Sequence, residues 1–308
     1  MTSPGPTVGV IGTGAVGQSV GGALVASGLC GRLLVASRVP EQATALAADL
    51  DDMRAAIGSA TQTRAVAVAD LRHCSAVVIA VRAHFTNNRA TDVRMGGAQV
   101  NAPVIGALAA QLRDCAGTVL MVTNPVDLMT RLFAETSGCT RVFGIGSGLD
   151  TARYRLTLAR LLGVPMDAVR GHVIGEHGEA AVVCASSTTV NGQPLPVPLQ
   201  QVRHELATRP GRISAGIGRT RCGPAGAVMA ALRLALGMED GVTELSASHR
   251  GAWLGIPLRF TAGRPVPCLP PLDDTEAWQL EAACTKLRAA YRTACDTPSH
   301  SLPSGRIS

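Results

Sequence analysis

The chain has 308 residues, 46% of them hydrophobic and 16% charged, with a formal net charge of +6. That length and apolar content exclude a disulfide-stapled miniprotein and a disordered chain, and no unbroken apolar run near 20 residues is present to span a bilayer. Arginines dispersed along the chain and an aromatic content of 3% argue against a nucleic-acid-binding surface, which gathers its cations and stacking rings together. The first residues lack a basic segment, and Gly9, Gly12 and Gly14 interrupt the apolar stretch that follows, so the expectation is a cytoplasmic protein without a secretory signal or membrane anchor. Nine isolated cysteines, with no CxxC pair and no histidine at zinc-ligand spacing, read as small buried hydrophobes; no metal site is expected.

In chain order, Thr7–Ile11, Leu33–Ala36, Ala76–Val81 and Thr118–Val122 are β-branched runs of the kind that fill buried parallel strands. Helix-length segments at Gly14–Ser27, Glu41–Ala56 and Val100–Leu112 lie between them; Val16, Val20 and Leu24 recur at helical spacing in the first. Strand and helix in alternation predict an α/β fold with a doubly wound parallel sheet. From about residue 147 the pattern changes to a helix at Thr151–Leu162, strands at Val169–Ile174 and Ala181–Val190, and the turn signal Asn191-Gly192. A helical region at Ala225–Leu236, a strand-rich stretch, a proline-rich loop at Pro265–Pro271 and a last helix at Thr275–Cys295 complete the chain, with residues 296–308 expected to fray. The expected domains are 1–146, a Rossmann-type dinucleotide domain, and 147–308, an α+β catalytic domain.

Gly12-Thr13-Gly14-Ala15-Val16-Gly17 follows a predicted strand and opens a predicted helix, the context in which GxGxxG cradles a pyrophosphate. Gly12 allows the tight turn, Gly14 lets the backbone approach the anion, Gly17 permits close helix packing, and the helix start at Ala15 and Val16 supplies amide donors. An ordinary glycine-rich turn is the alternative. At the end of the second strand, where a carboxylate would grip a ribose 2′-hydroxyl, the chain reads Ser37-Arg38. A hydroxyl and a guanidinium suit a 2′-phosphate, so the expected cofactor is NADP(H).

Four further motifs follow: Arg94 with Asn101 seven residues on, Thr123-Asn124-Pro125-Val126-Asp127, Gly148-Leu149-Asp150-Thr151-Ala152-Arg153, and Gly175-Glu176-His177-Gly178-Glu179. With the fingerprint they resemble the lactate/malate dehydrogenase family, from Val8 to about Ala294. In loop character the chain is most similar to the L-2-hydroxyisocaproate dehydrogenase branch. The resemblance implies reduction of a 2-oxo carboxylic acid to the L-2-hydroxy acid. His177 would donate the proton, Asp150 would orient it, and Arg153 would hold the substrate carboxylate. Asp150 and Arg153, three apart on one predicted helix, share a face. Arg94 would swing in to polarise the carbonyl, and Asn124 would sit between carbonyl and cofactor ribose. His177 is expected to be exposed on a turn between Gly175 and Gly178, with Glu176 and Glu179 solvated or structural. The family also implies a homodimer or homotetramer.

The sequence departs from the family at three places. The fourth strand ends Ile79-Ala80-Val81-Arg82-Ala83, where the family carries an Ala-Gly pair against the cofactor; Ala80 keeps that role and Arg82 has none. Six residues before Arg94, where lactate enzymes carry Gln and malate enzymes a second Arg, the count reaches Asn88, with Arg89 adjacent. Gly223 stands where lactate enzymes carry Thr. The missing side chain favours a 2-oxo acid bulkier than pyruvate. The alternatives are an NADP-dependent malate dehydrogenase and, from another class, a non-catalytic NADP(H)-binding sensor or scaffold.

Overall fold

The computed structural model describes residues 5–89 and 91–296, so the tail beyond residue 296 lies outside the described residues. The first half alternates β1 (Thr7–Ile11), α1 (Ala15–Ser27), β2 (Arg32–Ala36), α2 (Pro40–Ile57), β3 (Gln62–Ala65), β4 (Ala76–Ile79), α3 (Ala98–Gln111), β5 (Thr118–Met121), α4 (Val126–Ser137) and β6 (Val142–Gly144). These six strands pair parallel in the order β3-β2-β1-β4-β5-β6, the doubly wound order expected. Every residue of β4 and β5 is buried, because helices cover both faces of a parallel sheet and leave no polar side to its central strands. Each fully buried Val or Ile there contributes about 1.5–3 kcal/mol.

The second half contains α5 (Ser147–Leu162), β7 (Val169–Arg170), β8 (Val173–Gly175), β9 (Ala181–Val183), β10 (Thr189–Val190), β11 (Gln193–Pro194), α6 (Leu199–Ile217), α7 (Cys222–Ala235), β12 (Gly241–His249), β13 (Ala252–Thr261), β14 (Arg264–Pro267) and α8 (Asp274–Asp296). Its long hairpin β12–β13 extends the parallel sheet: Ser246 pairs antiparallel with Gly144 of β6, and Gly255 with Gly175 of β8. A separate three-stranded sheet, β11-β10-β7, stands beside it.

The expected strands 169–174 and 181–190 are each broken in two. The chain changes sheets around Gly171, between β7 and β8, and changes back between Val183 and Thr189: β7 pairs with β10, whereas β8 pairs with β9 and β13. The Asn191-Gly192 turn forms as expected between β10 and β11, with φ of 50° and 78°. Helix α6 was not expected at all. Among the described residues no helix is long and apolar enough to cross a membrane, and no metal-holding cluster occurs. Six of the eight described cysteines are buried, and burial pushes the Cys30 and Cys74 thiols up to about 11, so they pack as inert thiols.

Candidate active site

The parallel strands deliver their carboxyl ends to one edge, where α/β sheets bind ligands. After β1, Gly12 takes φ +114°, and a side chain there would meet the Ala80 carbonyl at 2.6 Å. A Cβ on Gly17 would lie 1.8 Å from the Gly12 carbonyl oxygen. The same test at Gly14 finds nothing within 4 Å. Gly12 and Gly17 thus close the turn, while Gly14 faces the open space that a pyrophosphate needs at the start of α1, where Ala15 and Val16 begin the helix. Ala80, just past β4, donates its N–H to the Ile11 carbonyl and forms the floor of this turn.

At the end of β2, Ser37 is half-buried and Arg38 exposed, with no carboxylate on either. The Ser37 and Thr13 hydroxyls both donate to Gln42 Oε1, at 3.4 and 3.2 Å. Gln42, on the first turn of α2, therefore links the glycine loop to the specificity position and leaves its amide Nε2 uncommitted by these two bonds. No pattern in the sequence marks it.

Beyond β5, the buried Asn101 of α3 accepts the Ala83 N–H and donates to the Asn124 carbonyl, both at 2.8 Å. It clamps the exits of β4 and β5 together and fixes Asn124, which precedes a cis proline. Thr123 of the same motif donates to the Val81 carbonyl.

The chemical centre joins β6, α5 and the turn after β8. His177 Nδ1 lies 2.6 Å from Asp150 Oδ2, and Arg153 donates to Asp150 Oδ1 at 3.2 Å. Both Asp150 and Arg153 are 6% exposed, one turn apart on α5 as expected. His177 is not exposed on its turn: it is buried at 9%. The correction has a steric cause. Gly146 has no side chain, and a Cβ there would strike the His177 Cβ at 2.6 Å, so the imidazole packs against bare backbone beside Asp150.

Burial alone would raise the Asp150 pKa, but the His177 charge and hydrogen bond, with Arg94 and Arg153, outweigh it and hold the carboxyl down at about 2. Burial and then Arg94 lower the pKa of His177, Asp150 opposes them, and Arg153 adds to the lowering. Arg94, half-buried in the 3₁₀ turn Val93–Gly97, is thus close enough to act on all three.

Two acidic neighbours have roles the sequence did not assign. Asp127, quoted in the Thr123–Asp127 motif, is buried and accepts the His177 backbone N–H at 2.9 Å. Burial pushes its carboxyl up to about 7, against the lowering effect of that N–H and of the Ser246 hydroxyl, with Glu176 and Asp150 adding to the rise. Glu176 is not solvated but 3% exposed, bonded to the Ala180 N–H and to Lys286.

Gly223 lines a pocket of about 310 Å³ together with Arg153, bounded by Leu149, Leu156, Ile213 and Ile217 and by the further cations Arg209 and Arg221. Asn88 and Arg89 are exposed, and neither side chain hydrogen-bonds to a described residue. No hydrogen bond or ion pair links them to the His177 cluster among the described residues. Arg82 stacks its guanidinium over the Phe85 ring at 4.7 Å.

Comparison with known proteins agrees with this geometry. Residues 7–144 match the lactate/malate dehydrogenase NAD binding domain, and residues 147–209 match the α/β C-terminal domain of the same family. The chain belongs to the lactate/malate dehydrogenase family. It is 33% identical over 190 residues to L-lactate dehydrogenase 2 of Lactococcus lactis subsp. lactis, covering 60% of each chain. It is 32% identical over 173 residues to the L-2-hydroxycarboxylate dehydrogenase (NAD(P)(+)) of Methanocaldococcus jannaschii, covering 53% of this chain and 55% of that one. The matches thus span about 60% or less of these relatives' length. In fold, it superposes on the lactate dehydrogenase of Cryptosporidium parvum with a TM-score of 0.88 at 20% identity, covering 97% of this chain and 100% of that one. The malate dehydrogenase of Plasmodium falciparum gives 0.86 at 21%, covering 94% and 99%. The site of this dehydrogenase-family chain therefore lies where its two matched family domains meet, at the β6–α5 junction.

Proposed function

We propose that this protein reduces a 2-oxo carboxylic acid to the L-2-hydroxy acid, using NADPH. The observation that carries the reading is the buried Asp150, whose two oxygens take His177 on one side and Arg153 on the other. Asp150 occupies Nδ1 of the imidazole, which leaves Nε2 to give its proton to the substrate oxygen. Arg153 holds the substrate carboxylate through its guanidinium fork, and Arg94 draws charge onto the carbonyl oxygen as it becomes an alkoxide. NADPH, when bound, supplies the hydride. Gly12, Gly14 and Gly17 with the start of α1 hold its pyrophosphate, and Ser37 and Arg38 take the 2′-phosphate that a carboxylate there would repel. Residues 1–146 would form the cofactor domain and 147–308 supply most substrate contacts, in a homodimer or homotetramer of the cytoplasm.

Gly223 and the apolar residues beside Arg153 support a substrate larger than pyruvate, with a neutral or polar side chain. A dicarboxylate, the malate reading, gains support from Arg209 and Arg221 on the same wall. A scaffold has no use for a histidine and a carboxylate desolvated together. A panel of 2-oxo acids, including pyruvate, oxaloacetate and branched and aromatic members, tests the proposal through oxidation of NADPH and NADH followed by absorbance. Highest kcat/KM for a branched or aromatic acid with NADPH is expected. Oxaloacetate proving best would move the reading to malate, and no turnover with any member would overturn it.

A further inference from the structure

Three charged residues outside the His177–Asp150–Arg153 set, Lys286, Glu176 and Glu179, converge near Asp92, two residues before Arg94. Lys286 of α8, the single lysine of the sequence, donates to Asp92 Oδ1 at 2.5 Å and to Glu176 Oε2 at 2.8 Å. Glu179 Oε1 accepts the Asp92 backbone N–H at 2.5 Å. Asp92 is itself in the left-handed region, with φ +48°, at the start of the turn that carries Arg94. Glu176 and Glu179 flank His177. One ammonium therefore bridges the Arg94 turn and the His177 turn.

Arg94 needs such a tie. No hydrogen bond or ion pair to a described residue holds its side chain, yet its charge acts on His177 and Arg153, both of which carry or accept positive charge. Like charges brought together in a partly buried site repel. A tie from outside the site opposes that repulsion and adds to the bond from the Asn87 amide to the Val93 carbonyl that already holds the turn. Glu176, being buried, also needs a cation, and Lys286 meets both needs with one group.

We propose that Lys286 is a positioning residue for Arg94, acting through Asp92 and braced by Glu176. The inference rests on the 2-oxo acid reductase reading given above. Lys286→Met keeps the length of the side chain and removes its charge, so Arg94 loses its placement and kcat falls about tenfold, with KM for NADPH unchanged. Lys286→Arg restores most of the rate. Asp92→Asn, which leaves the Lys286–Glu176 pair in place, reproduces the loss if Lys286→Met folds poorly. In an Arg94→Gln background, Lys286→Met costs less than about twofold more, because the group it positions is already gone. Equal losses in both backgrounds, or unchanged kcat in Lys286→Met and Asp92→Asn, would overturn the proposal. Trypsin cleavage after Arg89 and Arg94 gives a readout without activity: it accelerates in both variants if the tether holds the turn. Absence of 2-oxo acid reduction by the wild type would sink the functional reading alone, and unchanged cleavage would then sink the tether too.

Discussion

At the scale of single residues, Asp150 does two jobs at once: it fixes Nδ1 of His177 and offsets the burial and the arginines that push the imidazole towards neutrality. Reduction needs the protonated imidazole, so its rate is present below the His177 pKa and is lost as pH rises through it. Asp150→Asn removes the carboxylate charge, which raises that pKa. The descending limb of the pH–kcat/KM profile should therefore move to lower pH; a limb that stays in place would show that Asp150 does not set the proton affinity. Asp127 gives a second, thermodynamic signature. Its folded carboxyl sits near 7 against an ordinary 3.8, so the folded state keeps a proton the unfolded chain releases. The stability this contributes in acid is lost progressively as pH rises from about 4 to about 7 and changes no further above that. Denaturant unfolding of Asp127→Asn against wild type checks it: the wild type should lose ground between pH 5 and pH 7. Parallel curves would mean the carboxyl is ionised throughout.

At the scale of elements, legibility followed apolar periodicity. The buried strands β1, β2, β4 and β5 and helices α1 to α3 announced themselves because their side chains pack on both sides of one sheet. Helix α6 did not: it holds Pro210 inside, buries only Val202 and presents arginines, glutamines and a histidine to its surroundings, so no stripe marks it. Strand β3, Gln62–Ala65, has no residue fully buried and reads as polar loop. Helix α4 was not predicted either, although its Val126, Met129 and Phe133 recur at helical spacing and all are buried. These elements carry the specificity predictions. Ser37→Asp, at the end of β2, should reverse the preference from NADPH to NADH, because a carboxylate repels the 2′-phosphate; equal kcat/KM for both cofactors in the wild type would contradict the assignment. Gly223→Thr, in the first turn of α7, adds a side chain towards Leu149, 3.2 Å from where its Cβ would stand. It should cut kcat/KM for branched and aromatic 2-oxo acids by about 10-fold or more while sparing pyruvate. Arg89→Ala should leave the neutral substrates unaffected, and a selective loss with dicarboxylates would revive the malate reading.

At the scale of the whole molecule, the parallel sheet of the first half and the hairpin of the second are one continuous sheet, joined where Ser246 meets Gly144. That junction brings His177, from the turn after β8, onto Asp150 and Arg153 at the start of α5. The motifs made these partners legible, since each sits in a short recognisable run. What they could not convey was burial and support: that Gly146 admits the imidazole, that Asp127 holds its backbone, and that a lysine more than a hundred residues away reaches Glu176. Those depend on contacts between segments distant in sequence. The central claim is that His177 delivers the proton to a 2-oxo acid anchored by Arg153. The most direct measurement is single-turnover reduction by His177→Ala, alongside NADPH binding followed by fluorescence. The rate should fall by about 10²–10⁴-fold while NADPH affinity stays unchanged. Near-normal turnover in that variant would contradict it, because the proton would then come from another group.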